Sequence, residues 1–450
     1  MRRFLVHLRR LLKKSFDGIR NERLKNNLLQ AVPFWIGSII TGLFAVIYSE
    51  IFLWAERLMH TIINWHSWLI FILAPVGFVA SWWLVKEFAP YAKGSGIPQV
   101  MAAVELSNPK EHKKIRNLLS LKIIFFKILS SVILVFAGGA IGREGPTIQI
   151  AGSIFRKVNE YLPDWWPKIS KKNMIMTGAA AGLSAAFNTP LGGVVFAVEE
   201  LSKTHINYFK TALFTAVIIA GMTAQTLAGS YLYLGYPKTQ NITLFVIFPV
   251  ILVSGISGIL ASKLSVWMLQ ISAWKSRTLT STRSNLIFLI AAALVVALLA
   301  YFVNDEILGS GKNIMDRVLF SKDKHEDWYI PFFRMLGPAL SFTSGGAGGI
   351  FAPALSAGAS IGSVITGFIH LTSDETNVVI LAGMVAFLTG ITRAPFTSAV
   401  IVLEMTDRHS LIFYLMLAGM ISSIFSLLVS RYSLYASLKQ GYLKELRKQI

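Results

Sequence analysis

Long stretches without a charged side chain are the feature that most limits how this chain can fold. Residues 286–303 read LIFLIAAALVVALLAYFV, and residues 244–262 read LFVIFPVILVSGISGILAS. A helix of about 18–20 apolar residues crosses a hydrocarbon core of about 30 Å. Charged residues make up only 15% of the chain, which is too little polar surface for a soluble protein with a core of this size. We therefore predict an all-α protein that crosses a membrane several times.

The net charge of +20 is concentrated in short segments between the apolar runs. Residues 1–25 hold nine Lys and Arg against two acids, and further basic clusters lie at 108–117, 168–172, 275–283 and 444–448. Acidic residues gather instead at 304–306, 324–327 and 373–376. Cytoplasmic loops are enriched in Lys and Arg, so we expect an inner (plasma) membrane protein with both termini in the cytoplasm. Anionic lipid headgroups, rather than nucleic acid, are the expected partner of the basic surface.

Several apolar segments are too long for one perpendicular span, and others are interrupted by Gly and Pro. This pattern is typical of tilted helices and of broken helices that stop partway through the membrane, where the backbone lines a cavity or is buried in protein. The predicted divisions are a basic amphipathic N-terminal helix at 1–27, transmembrane repeats at 28–232 and 243–430, and a C-terminal cytoplasmic-side helix at 431–450.

An internal repeat supports two similar halves. GAAAGLSAAFNTPLGGVVFAVEE, which begins at Gly178, aligns with GMVAFLTGITRAPFTSAVIVLEM, which begins at Gly383. This alignment places Pro190 against Pro395 and Glu199 against Glu404. GSG also occurs twice (94–96 and 309–311), and GREGP (142–146) corresponds to GIFAP (349–353). Broken helices at equivalent places in two repeats predict a binding site between them.

Three glycine-rich segments lead into proline and then into a predicted helix: KGSGIPQV (93–100), GREGPTIQIAG (142–152) and SGGAGGIFAPALSAGASIG (344–362). Glycine lets the backbone approach a ligand, and proline is tolerated in the first helical turn. A helix N-terminus offers free N–H groups and a partial positive charge, so converging termini would bind a small anion and still release it. Close helix packing by small residues is the alternative explanation of the glycines.

The order of GSGIP, GREGP, GIFAP and a tyrosine in SLYASL near the C-terminus resembles the CLC family of chloride channels and chloride/proton exchangers. The resemblance extends over nearly the whole chain and includes RAPFTSAVIVLEMTD. It implies a CLC-type inverted repeat of tilted and broken helices. It also implies a homodimer in which each subunit has its own anion pathway.

The resemblance assigns a central chloride site to four residues of this chain. Ser95 and Tyr435 would donate their hydroxyl groups to the ion, and Ile350 and Phe351 would donate backbone N–H groups.

An outer site would be framed by Arg143 and Gly145. Glu144 would be the gating glutamate, because its carboxylate imitates chloride at a site built for anions and moves away once it is protonated. Charged side chains at bilayer depth are costly, so their presence there indicates a function.

Proton coupling depends on a second carboxylate in the segment FAVEEL. The resemblance assigns the inner proton acceptor to Glu200, for which an interfacial acid at a helix end is the alternative. Glu199 aligns with Glu404 and is expected to be structural. Lys127 would raise the electrostatic potential along the pathway, or would instead be a structural partner of a nearby carbonyl or carboxylate.

The predicted function is secondary active exchange of chloride, or a similar halide, for protons. A passive chloride channel of the same fold is the first alternative, and a non-transporting membrane scaffold or receptor is the second. An intramembrane enzyme is disfavoured, because acidic pairs such as Glu199–Glu200 lack a metal-ligand partner or a nucleophile. The chain has no cysteine, and no cofactor or metal is expected.

Three positions bear on how closely the chain follows the family. Gln99 stands where relatives often have glutamate, and Ala347 stands where proline is usual, which would loosen the loop before Phe351. Ser95 argues for chloride, because relatives that export fluoride or prefer nitrate carry another residue there.

Overall fold

The computed structural model describes residues 20–202, 210–229 and 232–448, together with 14, 17 and 18. Within these residues the chain is helical, and its only bridge pairs outside helices are two isolated contacts between glycine-rich loops. The α-helices are α1 (Glu22–Trp65), α2 (Ile70–Phe88), α3 (Ile97–Glu105), α4 (Ile115–Leu118), α5 (Leu121–Phe136), α6 (Glu144–Tyr161), α7 (Lys171–Phe187), α8 (Pro190–Phe196), α9 (Lys210–Ala228), α10 (Ile247–Thr278), α11 (Thr282–Phe302), α12 (Lys312–Phe320), α13 (Ile330–Thr343), α14 (Phe351–Thr366), α15 (Ser373–Thr392), α16 (Pro395–Thr406), α17 (Ile412–Leu427) and α18 (Leu434–Lys448). A π-helical turn, Ala197–Leu201, continues α8.

Eight helical stretches among the described residues are long and apolar enough to cross a membrane. The longest is α1, whose 44 residues extend about 66 Å at 1.5 Å per residue and so exceed a bilayer core of about 30 Å. Helices α3 and α14 have only 9 and 16 residues and are mostly buried, and both begin within the protein. The prediction of a polytopic all-α protein with long and broken helices is confirmed.

Packing repeats in the same order in the two halves of the chain. Helix α1 packs against α9 as α10 packs against α17, and α6 packs against α7 as α14 packs against α15. Helix α15 is buried on every side, which explains how apolar residues can occupy its whole circumference. The short helices α3 and α14 therefore begin in the interior between the two halves.

One continuous helix crosses the predicted N-terminal boundary of the first repeat. Helix α1 runs unbroken from Glu22 to Trp65, past the predicted boundary between residues 27 and 28. Of the predicted basic helix at 1–27, residues 1–13, 15, 16 and 19 lie outside the described residues. The division of the chain at 27, 232, 243 and 430 stays a prediction.

Candidate anion-binding site

Helices α3, α6 and α14 begin at the glycine-rich segments, and their N-terminal loops are bonded to one another. Gly142 and Gly349 exchange two backbone hydrogen bonds of 2.8 and 2.7 Å. Gly94 donates to the carbonyl of Gly346 at 2.8 Å and accepts from the N–H of Gly348 at 3.0 Å. The three helix N-termini are therefore held together by main-chain bonds, as converging anion sites require.

Close approach of these loops requires glycine at Gly96 and Gly145. Gly96 has φ +108°, a left-handed conformation, and a Cβ there would lie 2.9 Å from the carbonyl oxygen of Gly145. A Cβ at Gly145 would lie 2.2 Å from Ser95 Oγ. The Ser95 hydroxyl thus lies directly against the first turn of α6.

The hydroxyl groups of Ser95 and Tyr435 are buried and have no hydrogen-bond partner among the described residues. The two hydroxyls lie near each other but do not meet the geometry of a hydrogen bond. The Tyr435 ring stacks on that of Phe351, the first residue of α14, with centroids 6.2 Å apart. An unpaired buried polar group costs about 1–3 kcal/mol, so two such donors at one place fit a bound acceptor such as a halide.

Glu144 is 1% exposed, and its carboxylate lies between the N-termini of α6 and α14. A Cβ at Gly142 would be 2.3 Å from Oε2, with Ala352 Cβ and Pro353 Cδ next in distance. The backbone N–H groups of Glu144 and Ala352 interact favourably with this carboxylate. The negative group therefore occupies a position suited to an anion.

Arg143 is the N-cap residue of α6 and is nearly buried. Its Nη1 donates to the carbonyl of Ser49 on α1 at 3.3 Å. Arg143 and Glu144 line a cavity of about 200 Å³ together with Phe52, Leu53, Glu56, Leu232, Tyr233, Ser310 and Lys312. Residues of α1 and Lys312 of α12 form part of its wall.

Lys127 is fully buried on α5, and its Nζ donates to the carbonyls of Ala92 and Gly94 at 2.8 and 2.6 Å. It thereby fixes the loop that presents Ser95, which is the structural alternative considered for this lysine. The positive charge also lies near the site, so both interpretations stay compatible with its position.

The two acids of FAVEEL lie in the π-helical turn after α8 and have different surroundings. Glu199 accepts hydrogen bonds from the N–H groups of Phe396 and Thr397 at 3.2 and 2.7 Å, where α16 begins. Glu200 is half-buried and lies near enough to Tyr435 to interact with its hydroxyl electrostatically. π-Helical turns occur frequently at functional sites.

Both departures from the family pattern have hydrogen-bond partners. The N–H of Ala347 donates to Ser130 Oγ at 3.0 Å, a bond that proline would not make. Gln99 Nε2 donates to the carbonyl of Lys93 at 2.7 Å and to the hydroxyl of Tyr442 at 3.1 Å. The Ala347 loop is thus tied to α5 rather than loosened.

Sequence reasoning missed Glu56, which lines the same cavity as Glu144. The signal available was a carboxylate within the apolar run of α1. It was not recognised, because no glycine-rich motif surrounds it and its contacts come from residues far along the chain.

The chain is similar in sequence to curated transporters from bacteria. The H(+)/Cl(-) exchange transporter ClcA of Citrobacter koseri is 29% identical over 391 residues, which cover 83% of this chain and 80% of the relative. ClcA of Salmonella schwarzengrund is 28% identical over 429 residues, covering 91% of this chain and 87% of the relative.

Solved structures share the fold at low sequence identity. A slow cyanobacterial Cl−/H+ antiporter superposes with a TM-score of 0.79 at 23% identity, and a CLC-type fluoride/proton antiporter superposes with a TM-score of 0.76 at 19% identity. Each match covers 92% of this chain and 98% of the other. The model of the voltage gated chloride channel family matches residues 76–427. That match covers well over half of the sequence, and the chain belongs to the CLC family of voltage gated chloride channels.

Proposed function

We propose that this protein is a secondary active transporter that exchanges chloride, or a similar halide, for protons. The observation that carries the proposal is the Glu144 carboxylate at the N-termini of α6 and α14. A group that is negative only when deprotonated competes with chloride for this position. Protonation and anion binding thus become linked, because neutral Glu144 would leave the position to the anion.

Chloride would bind inward of Glu144, between the hydroxyls of Ser95 and Tyr435 and the N–H groups of Ile350 and Phe351. Two observations support this: both hydroxyls are buried without a partner, and the Phe351 ring packs on Tyr435. Arg143 and Gly145 frame the outer position. Apart from Arg143, these donors are neutral. Chloride would therefore bind strongly enough to enter the site and weakly enough to leave it.

Glu200 would accept protons on the inner side. The electrostatic influence of its carboxylate on the Tyr435 hydroxyl supports this role, because Tyr435 belongs to the proposed chloride site. The relatives named as H(+)/Cl(-) exchange transporters favour coupled exchange over passive conduction. A passive channel would not need a second carboxylate here.

The inner membrane location with both termini in the cytoplasm is supported by the grouping of basic segments. Arg447 of α18 pairs with Glu111 of the loop at 108–117, which puts two basic segments on one face. His60, near the C-terminal end of α1, contacts Asp305 of the acidic loop at 304–306. We also propose a homodimer and contacts with membrane lipid, both on the family resemblance.

Liposomes that contain the purified protein test the function. A chloride gradient is imposed, and chloride efflux and internal pH are recorded together. Coupled exchange predicts uphill proton movement that stops when the chloride gradient is dissipated. Chloride flux without proton movement would instead establish a channel, and absence of both fluxes would favour a scaffold or receptor.

A further inference from the structure

Glu56 is a buried carboxylate on α1 that lies outside the predicted site. It is 9% exposed, and its Oε1 accepts a hydrogen bond from the N–H of Ser310 at 2.6 Å. The neighbouring Gly309 has φ +62°, and a Cβ there would lie 2.2 Å from the same oxygen. One carboxylate oxygen of Glu56 therefore secures the loop before α12.

The same side chain lines the cavity of about 200 Å³ that leads to Glu144. It lies near enough to Glu144 to interact with that carboxylate electrostatically. The cavity is large enough to admit water, which needs polar partners such as the carboxylates and Lys312 lining it. Two carboxylates in one small cavity permit proton transfer between them through water.

A further titratable pair lies one helical turn away. His60 follows Glu56 by four residues, so the two side chains share a face of α1. His60 Nδ1 is 3.4 Å from Asp305 Oδ2, and their side chains are 19% and 34% exposed. Titratable groups therefore extend from partly exposed Asp305 and His60, past Glu56, to buried Glu144.

We propose that Glu56 is the outer proton carrier for Glu144. In the inward step the O–H bond of protonated Glu56 breaks, its proton passes through water, and an O–H bond forms on Glu144; the outward step is the reverse. This inference rests on the proposed exchange of chloride for protons. Glu56 could instead serve only to hold the loop of Ser310, so the test must separate titration from hydrogen bonding.

The charged and titratable groups around Glu56 come from several elements. They are His60 of α1, Arg143 and Glu144 of α6, Asp305 and Glu306 of the acidic loop, Lys312 of α12 and Arg334 of α13. Arg143 and Lys312 offset the two carboxylates of the cavity.

Glu56→Gln is the decisive variant, because its amide oxygen still accepts from Ser310 N–H but the side chain carries no exchangeable acid proton. A positioned acid–base group accelerates proton transfer by roughly 100-fold or more, so we expect proton flux to fall by at least about tenfold. Chloride affinity should stay unchanged. The dependence of proton flux on external pH should flatten, which loss of a loop contact alone would not cause.

Three companion measurements make the test conclusive. Glu56→Asp keeps a titratable group and should retain more proton flux than Glu56→Gln, even if both are less stable than wild type. Glu50→Gln removes an exposed carboxylate from the same helix, beside a separate cavity that Arg143 also lines, and should behave as wild type. His60→Gln should shift the pH profile less than Glu56→Gln.

Wild-type proton flux and pH profile in Glu56→Gln would overturn the inference, as would an equal loss in Glu50→Gln. Either result would leave the exchange activity of the wild type intact. If wild-type liposomes moved chloride without protons, the proposed function itself would fail, and the inference with it.

Discussion

Glu199 and Glu404 cap each other's helices across the two repeats. Glu199 accepts from the N–H groups of Phe396 and Thr397 at the start of α16, and Glu404 of α16 accepts from those of Leu191 and Gly192 at 3.0 and 2.7 Å. Each carboxylate lies at a positive helix end, where it satisfies donors that have no intrahelical partner. The neighbouring Glu200 lies near enough to Tyr435 to act electrostatically on its hydroxyl, so the two adjacent acids have different surroundings.

Glu200→Gln should stop proton movement while chloride still flows, because the amide cannot carry a proton between the inner side and Glu144. Glu199→Gln should leave coupling in place and lower the free energy of unfolding by about 1 kcal/mol, through loss of a charged cap. Simultaneous recording of chloride and pH in liposomes, with thermal unfolding of both variants, checks this.

Glu404→Gln is the matched control for the cap, since it removes the equivalent carboxylate from the other repeat. It should resemble Glu199→Gln in stability and in coupling. Loss of coupling in Glu199→Gln but not in Glu200→Gln would mean that the assignment on this turn is wrong by one residue.

Glu144→Gln should abolish proton coupling and leave chloride flux. Glutamine imitates the protonated side chain permanently, and its neutral amide does not compete with an anion at the N-termini of α6 and α14. The measurement is uphill proton transport driven by a chloride gradient. Uphill transport that persisted in this variant would remove Glu144 from the gating role.

Gly145→Ala tests the geometry of the central site. The added methyl would lie 2.2 Å from Ser95 Oγ and 3.0 Å from Ser95 O, so the serine must move away from the first turn of α6. A hydrogen bond to a charged acceptor contributes about 1.5–3 kcal/mol, so chloride affinity should fall roughly 10- to 150-fold. Isothermal titration calorimetry with chloride measures this.

Gly441→Ala is the control for that experiment, because nothing lies within 4 Å of a Cβ at Gly441. Its chloride affinity should equal that of wild type.

Tyr435→Ala should weaken chloride binding as Gly145→Ala does, and Tyr435→Phe should have a milder effect. Unchanged affinity in Tyr435→Ala would withdraw Tyr435 from the site.

The starts of α3, α6 and α14 could be predicted from sequence because glycine and proline fix local backbone conformation. Gly96 has a left-handed φ of +108°, which glycine adopts without strain. The repeat likewise predicted that Glu199 and Glu404 have equivalent positions. Local signals of this kind do not depend on which distant residues meet.

Contacts between distant segments could not be predicted in the same way. Glu199 meets Phe396, and Glu56 meets Ser310, only because the two halves pack together. Two interpretations of Lys127 remain, because a buried lysine can donate hydrogen bonds to carbonyls and can also raise the electrostatic potential nearby.

The position of Tyr435 depends on α18, which ion pairs attach to the rest of the protein. Lys439 Nζ lies 2.9 Å from Glu105 Oε2, and Arg447 donates to both carboxylate oxygens of Glu111 at 2.9 and 3.1 Å. These hydrogen bonds from Arg447, helped by Asn108, lower the pKa of Glu111 from 4.5 to about 2. The attachment of α18 is therefore sensitive to strong acid.

The sign of this dependence follows from the depressed pKa. Folded Glu111 binds its proton less readily than the unfolded chain does, so its stabilising contribution is complete above about pH 4.5 and is lost as the pH falls toward about 2. Pepsin is active in acid, and we expect it to cleave α18 faster when this helix detaches. Glu111→Gln lacks the titrating group, so its cleavage should be faster than that of wild type at pH 4.5, by up to about fivefold for an exposed ion pair.

The ratio of the two cleavage rates should approach one near pH 2, where wild type has lost the same pair. Comparison at each pH removes the pH dependence of the protease itself. Glu445→Gln, which removes a more exposed carboxylate 3.9 Å from Lys93, should be cleaved like wild type throughout. A ratio for Glu111→Gln that stayed constant from pH 4.5 to 2 would mean that Glu111 does not hold α18, and that Lys439 and the packing of α18 on α3 position Tyr435 without it.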